Sequence, residues 1–377
     1  MKQEQTTLAF AMGGLAGNNA HGAGFLQAAL ERKVQPIMIS CTSGQILWVS
    51  RYLQAANNLI KTNLKEMLQE DVRQVNPTGN VNLALASLAL FGKAGVFAPA
   101  RNEYLLDMIQ NAVDTWLDVC TRPHEVLLPQ KLLELFPCRN LIPDFPEVFF
   151  DNIADIFCNA SLPQENGKKR LPVGIVFNSY NPRSGEEYVY LNDQARKLLH
   201  EKSGGEEHKY SPGVKSRYRD RTIYQDIDAK AVRDALWLYQ YGFDNKESGF
   251  IDGAYFRGMI LSELTVARKI FCVRPINHCW QGDLPRNYPE LEDLKTEIAF
   301  DGSYCGERYQ IQLINRLLGK NVADSSKYHQ IELEEIEIKK PRGYFDYLFE
   351  NELVFTDAYE DAMQRFDQPA AVSAVPA

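Results

Sequence analysis

No two cysteines in this chain are spaced C-x-x-C, and the seven it has, at positions 41, 120, 138, 158, 272, 279 and 305, are odd in number and scattered. A disulfide framework is therefore not expected, and a reducing compartment is the plain reading. Basic excess is lacking too: the formal net charge is -8, where a nucleic-acid binder shows a basic field. The six histidines, at 21, 124, 200, 208, 278 and 329, form no recognised metal spacing, so neither a metal nor another cofactor is expected. Long apolar runs are missing as well. The stretch 81–91 is too short to span a bilayer and includes Asn82. No secretory signal is recognisable after Met1. A cytoplasmic protein is the expectation, with transient contact at a membrane surface or signal-independent export as further routes.

What remains is an ordinary globular composition, 45% hydrophobic and 24% charged, which excludes a coiled coil and a disordered chain. Residues 7–12 read as a buried strand running into Gly13 and Gly14, and 24–31 as a helix. Residues 36–39 suggest a second strand and 46–53 a second helix. That order suits a parallel α/β sheet. The region at about 56–165 is mostly helical in pattern, for example 105–116, and is either a fixed layer over the sheet or a cap. Further on, 173–180 and 187–191 read as strands across a turn holding Asn181, Pro182, Ser184 and Gly185. Residues 201–212 read as a loop, 231–240 as a helix, 269–273 as a strand and 331–338 as a half-exposed strand. One domain is expected over 1–366, with a flexible tail at 367–377.

Three segments are suited to chemistry. Gly13-Gly14-Leu15-Ala16-Gly17 lies between a strand and a helix. Such a loop can expose successive N–H groups to a phosphate or an oxyanion, or it can be a simple tight turn. It does not supply the G-x-G-x-x-G of a dinucleotide fold. Ser40-Cys41-Thr42-Ser43-Gly44-Gln45 falls at a strand-to-helix turn, where a hydroxyl is either held outward as a nucleophile or caps the helix. Ile251-Asp252-Gly253-Ala254-Tyr255 offers an acid before a glycine; an isolated Asp-Gly is usually only a turn.

In this order, the three segments resemble the patatin-like phospholipase family, with its glycine-rich oxyanion loop, G-x-S-x-G nucleophile turn and later D-G-G or D-G-A motif. The resemblance reaches across much of residues 6–280 and implies a three-layer α/β core with a mostly parallel central sheet and additional helices. It implies a lipid acyl hydrolase, of phospholipase A or lysophospholipase type, acting on a phospholipid or other acyl ester through a Ser–Asp dyad without histidine or metal. Counting on from Gly24 without gaps puts the nucleophile on Ser43 and the acid on Asp252. Gly13, Gly14 and Leu15 then become oxyanion donors, with Gly44 as an additional one. Two departures stand out: Cys41 and Gln45 replace the glycines of the nucleophile motif, and Met12 and Ala16 alter the glycine loop. A one-residue shift would make Thr42 the nucleophile. The alternatives are a noncatalytic patatin-like protein that binds lipid or protein, and a structural role for His21 rather than one in a triad. The sequence implies no particular protein partner.

Overall fold

The computed structural model describes residues 7–14, 19–60, 63–75, 104–122, 147–164, 169–202, 209–216, 219–237, 249–280, 283–286, 288–325, 327–338 and 351–367. Where one domain is expected over 1–366, the chain divides into two compact units. One comprises residues 1–68, 147–236 and 250–377, and the other 69–146 and 237–249. The second unit takes in most of the region expected to be helical, and its main described element is the helix Tyr104–Thr121. The tail beyond Asp367 lies outside the described residues.

The first unit is built on a mixed, mostly parallel sheet. Its strands in chain order are β1 (Leu8–Met12), β2 (Met38–Cys41), β5 (Gly174–Asn181), β6 (Glu186–Leu191), β7 (Thr222–Asp226), β8 (Ile251–Asp252), β9 (Lys269–Arg274) and β10 (Glu332–Glu337), while β3 (Ser161–Pro163) and β4 (Arg170–Pro172) form a separate hairpin. Across the sheet the order is β10-β9-β1-β2-β5-β6-β7. The first five run parallel, and β6 turns back antiparallel to β5 through a turn in which Gly185 takes φ 71°. The central strands β1 and β2 are near-continuous apolar runs, as burial on both faces requires. At the edge, β10 carries glutamates paired across strands with Lys269, Nζ to Glu332 2.8 Å and to Glu334 2.9 Å. Charge on an edge strand discourages further pairing.

Helices cover both faces. On one, Ala9, Ala11, Met38, Val176, Ile270 and Cys272 pack against Ala195 and Leu199 of the helix Asp193–Lys202 and against Tyr304 and Ile311 of the helix Tyr288–Gly319. On the other, Phe10 and Phe271 meet Phe25 and Phe366 edge-on or tilted. Phe25 belongs to α1 (Asn19–Glu31), whose residues 19–29 are all buried. A helix buried along nearly its whole length, its polar Asn19, His21 and Gln27 included, must be enclosed on every side. Its glycines, costly in a helix interior, make that enclosure possible: a Cβ on Gly24 would lie 2.1 Å from the Phe355 carbonyl oxygen of the helix Asn351–Asp367. No helix among the described residues is long and apolar enough to cross a membrane.

Candidate active site

β2 ends at Cys41 and α2 (Gln45–Ala56) starts four residues later, so Thr42, Ser43 and Gly44 make the whole turn. Ser43 takes φ 53°, a left-handed conformation costing about 1–2 kcal/mol for a residue with a Cβ. Lys33, Asn58 and Asn321 share that conformation, but each follows the end of a helix, where it is a common way to stop one. Ser43 precedes a helix. A strained residue at a strand-to-helix turn is the geometry that holds a nucleophile outward. The Ser43 side chain is nearly buried, and its hydroxyl makes no hydrogen bond among the described residues.

Thr42 is different. Its hydroxyl donates to the Gly258 carbonyl at 2.9 Å and accepts from the Gly14 N–H at 2.9 Å, and the residue is fully buried. Both hydrogen-bonding directions of that hydroxyl are used to tie three chain segments together.

The same bond bears on the glycine loop. Gly14 must be glycine, since a Cβ there would lie 2.1 Å from the Thr42 carbonyl oxygen. Yet its amide is engaged by Thr42, and the Gly13 amide donates to the Val273 carbonyl of β9 at 3.1 Å. Neither amide is left over for an oxyanion in this arrangement, because the loop starts while still hydrogen-bonded to the sheet. Leu15 lies outside the described residues. Gly44 forms the N-cap of α2 with helical φ and ψ and no side-chain cap, and its amide has no partner among the described residues. Of the four expected donors, Gly44 is the one whose described amide is open.

Gln45, where the family motif has glycine, fits because Gly22 makes room: a Cβ on Gly22 would lie 2.3 Å from the Gln45 side-chain amide. Gln45 Nε2 donates to the Asn19 carbonyl at 3.2 Å. The space this glutamine needs is supplied by α1, twenty residues upstream in sequence.

Asp252 ends β8, which pairs antiparallel with β5 so that Asp252 faces Ser179. β6 occupies one edge of β5 along this stretch, so β8 lies on the other edge, the one that pairs Ser40 with Val176. The β2 pairing ends at Ser40–Val176, and β8 takes up the same edge three residues further along, so the β2–α2 turn and Asp252 lie toward the same edge and the same end of β5. Two further bonds secure the segment after Asp252 to β2, Thr42 to Gly258 and Ser40 Oγ to the Ile260 carbonyl at 2.7 Å. Asp252 is buried, and its Oδ1 accepts the Ala254 amide at 2.8 Å, capping a short 3-10 turn over Gly253–Tyr255. Gly253 does not have positive φ. It is there for closeness, because a Cβ would lie 2.3 Å from the Asn178 side chain.

Beneath this turn lies a buried ionic network with no sequence signature. Arg257 Nε donates to Glu187 Oε1 at 2.7 Å and Nη1 to Glu263 Oε2 at 2.8 Å. Arg219 pairs with Glu307, whose Oε2 accepts the Leu261 and Ser262 amides. Burial disfavours the Arg257 cation, but the adjacent Glu187 and Glu263 outweigh it and raise its pKa above the usual arginine value. Burial likewise raises the Glu263 pKa, and Arg257 more than reverses this. Removing one partner from such a group leaves an uncompensated buried charge and costs about 3–5 kcal/mol.

His21 takes no part in this geometry. It lies in α1, with Nε2 2.8 Å from the Ile336 carbonyl of β10, and burial lowers its pKa from 6.5 to about 4 against weaker opposing effects from that bond, Asp361 and Asp357. Between these values the unfolded chain binds a proton that the folded chain does not, so stability falls as pH drops through the window. Between pH 7 and pH 5 the wild type is expected to lose roughly 2 kcal/mol more than a His21→Gln variant. Denaturant titration at the two pH values checks this, and equal losses would remove His21 as the source.

Two groups bring metal-ligand atoms together among the described residues, His278–Asp301–Cys305 and His278–Glu335–Glu337. The buried Arg274 already supplies a cation there, 2.6 Å from Asp301 and 2.7 Å from Glu337. A pocket of about 940 Å³ lies at the far end of β2 from Ser43, between the ends of α1 and α2 and the helix Asn351–Asp367. Nearer the glycine loop, Gly13, Gly14, Gly258, Arg274 and Tyr304 line a cavity of about 20 Å³, the size of one water. Compared with known proteins, the chain matches no protein-family model and no curated protein.

Proposed function

We propose that this chain is a patatin-like serine acyl hydrolase that cleaves lipid esters, with Ser43 as nucleophile and Asp252 as general base. The observation that supports the reading is the left-handed Ser43 on the turn between β2 and α2, with Asp252 reaching the same edge of β5 further along. Lipid esters as substrates come from the motif order that resembles the patatin-like phospholipases. In the reaction, Asp252 takes the Ser43 proton as Oγ attacks the ester carbonyl. The Gly44 amide meets the oxyanion; Gly14 joins it only if Thr42 releases its amide. The bond to the leaving alcohol breaks and Asp252 returns the proton to that oxygen, leaving an acyl-serine. Asp252 then draws a proton from water, whose oxygen attacks the acyl carbon, and the fatty acid leaves as Ser43 is reprotonated. A carboxylate is a weak base, so proximity and oxyanion stabilisation carry much of the rate.

A second reading, a noncatalytic protein that binds lipid, is favoured by the engaged amides of Gly13 and Gly14. Losing one oxyanion donor costs about 3–4 kcal/mol. Trapping with a lipid-like fluorophosphonate, followed by peptide mass spectrometry, separates the two. A stoichiometric adduct on Ser43 is expected. An adduct on Thr42 would overturn the register. Absence of any adduct, together with saturable binding to phospholipid vesicles and no fatty-acid release, would establish the binding protein instead.

A further inference from the structure

Two rungs on β5 hold β8, a short ladder, so what grips the turn after it also bears on where Asp252 sits. Besides the Thr42–Gly258 and Ser40–Ile260 bonds, that grip includes Asn178, a fully buried residue of β5. Its Nδ2 lies 2.8 Å from Glu187 Oε1, 3.3 Å from the Arg257 carbonyl and 3.4 Å from the Gly253 carbonyl. An amide NH2 has two protons. One serves the carboxylate, and the other is shared between the two carbonyls, which accounts for their longer distances. Those carbonyls belong to the first and last residues of the turn, itself closed by the Arg257 amide donating to Gly253 at 2.8 Å.

The orientation of this amide has a visible cost. Asn178 Oδ1 is buried without a hydrogen-bond partner among the described residues. Turning the amide over would set Oδ1 against a carboxylate and two carbonyls, all acceptors, so Glu187 dictates the orientation. Glu187 is in turn aimed by Arg257 Nε at 2.7 Å and by Thr222 Oγ1 donating to its Oε2 at 2.9 Å. A core selected for stability alone has no use for an amide with an orphaned oxygen in contact with Gly253.

We infer that Asn178 is a positioning residue for Asp252, clamping the 253–257 turn to β5 under the direction of Glu187. This rests on the hydrolase reading for its catalytic consequence but not for its structural one. The test is Asn178→Leu, which keeps the forked heavy-atom outline and removes both the clamp and the orphaned oxygen. Amide exchange at Ala254, Phe256 and Arg257 is expected to quicken by at least about 10-fold while β1 and β2 stay protected. Hydrolysis of a short-chain acyl ester is expected to lose roughly 10- to 100-fold in kcat with KM within about twofold. Unchanged exchange at the turn would overturn the clamp. Faster exchange with unchanged kcat in an active protein would overturn its role in positioning. An inactive wild type would fault the hydrolase reading, while exchange would still decide the clamp. If Asn178→Leu does not fold, Thr222→Val loosens Glu187 without opening a cavity, and a smaller shift of the same kind is expected.

Discussion

Replacing Ser43 with alanine is expected to reduce kcat for an acyl ester by at least about 1,000-fold, or roughly 4 kcal/mol of transition-state stabilisation, while leaving the protein folded. The expectation rests on geometry. Thr42 spends its hydroxyl on Gly14 and Gly258, whereas the Ser43 hydroxyl has no such bond among the described residues. A companion substitution sharpens the result. Ser43→Gly removes the Cβ that makes φ 53° unfavourable, so it should lose the same activity yet gain about 1 kcal/mol in stability. Steady-state kinetics and denaturant titration on the two variants measure both effects. Loss of function with gain of stability at one residue is the signature of strain maintained for chemistry. Hydrolysis surviving in Ser43→Ala would end the assignment.

The second large effect is expected at Asp252. Asp252→Asn keeps an oxygen to accept the Ala254 amide, the bond that caps the Gly253–Tyr255 turn, so that cap persists while the base is lost. Removing a general base costs roughly 100- to 10,000-fold, and kcat should fall within that range. The rate of fluorophosphonate labelling at Ser43 should fall with it, since both need the hydroxyl proton removed. A kcat within about threefold of wild type would sink the dyad.

Much of the scaffold around these residues is legible in the sequence because its signals are local. Residues 7–12, 24–31, 36–39 and 46–53 show the periods of strand, helix, strand and helix, and the structure has β1, α1, β2 and α2 there, with α1 starting at Asn19 and β2 at Met38. The β5–β6 hairpin follows from the turn residues between its apolar runs. The expected helix over 231–240 is seen as Ala229–Ala235, with 238–240 outside the described residues. Two long helices escape such reading. Tyr288–Gly319 contains Pro289, Gly302 and Gly306, residue types that ordinarily disfavour a helix. Pro289 falls in the first turn, where proline is tolerated, and both glycines face open space. Asn351–Asp367 reads as a polar stretch, although Val354, Phe355, Ala358 and Ala362 form one buried face.

The site divides in the same way. The proposed dyad of Ser43 and Asp252 is suggested by motif because each residue is announced by small neighbours. Asn178, Glu187, Arg257, Glu263 and Glu307 come from four stretches, β5, β6, residues 257–263 and the helix Tyr288–Gly319, and meet only after these have packed. No spacing rule reports such a meeting. The Asp-Gly pair does mark a turn, and Gly253 also provides clearance for Asn178 that no local signal announces.

The contact between Gly24 and Phe355 has a consequence for biosynthesis. The flank of α1 nearest the amino end is sealed by a helix translated more than three hundred residues later. During synthesis this flank of a helix that ends up buried waits uncovered until that segment leaves the ribosome, and closing so long a loop is slow. Until then the surface of α1 that Phe355 covers has no partner, a cost that chain order alone imposes on this fold.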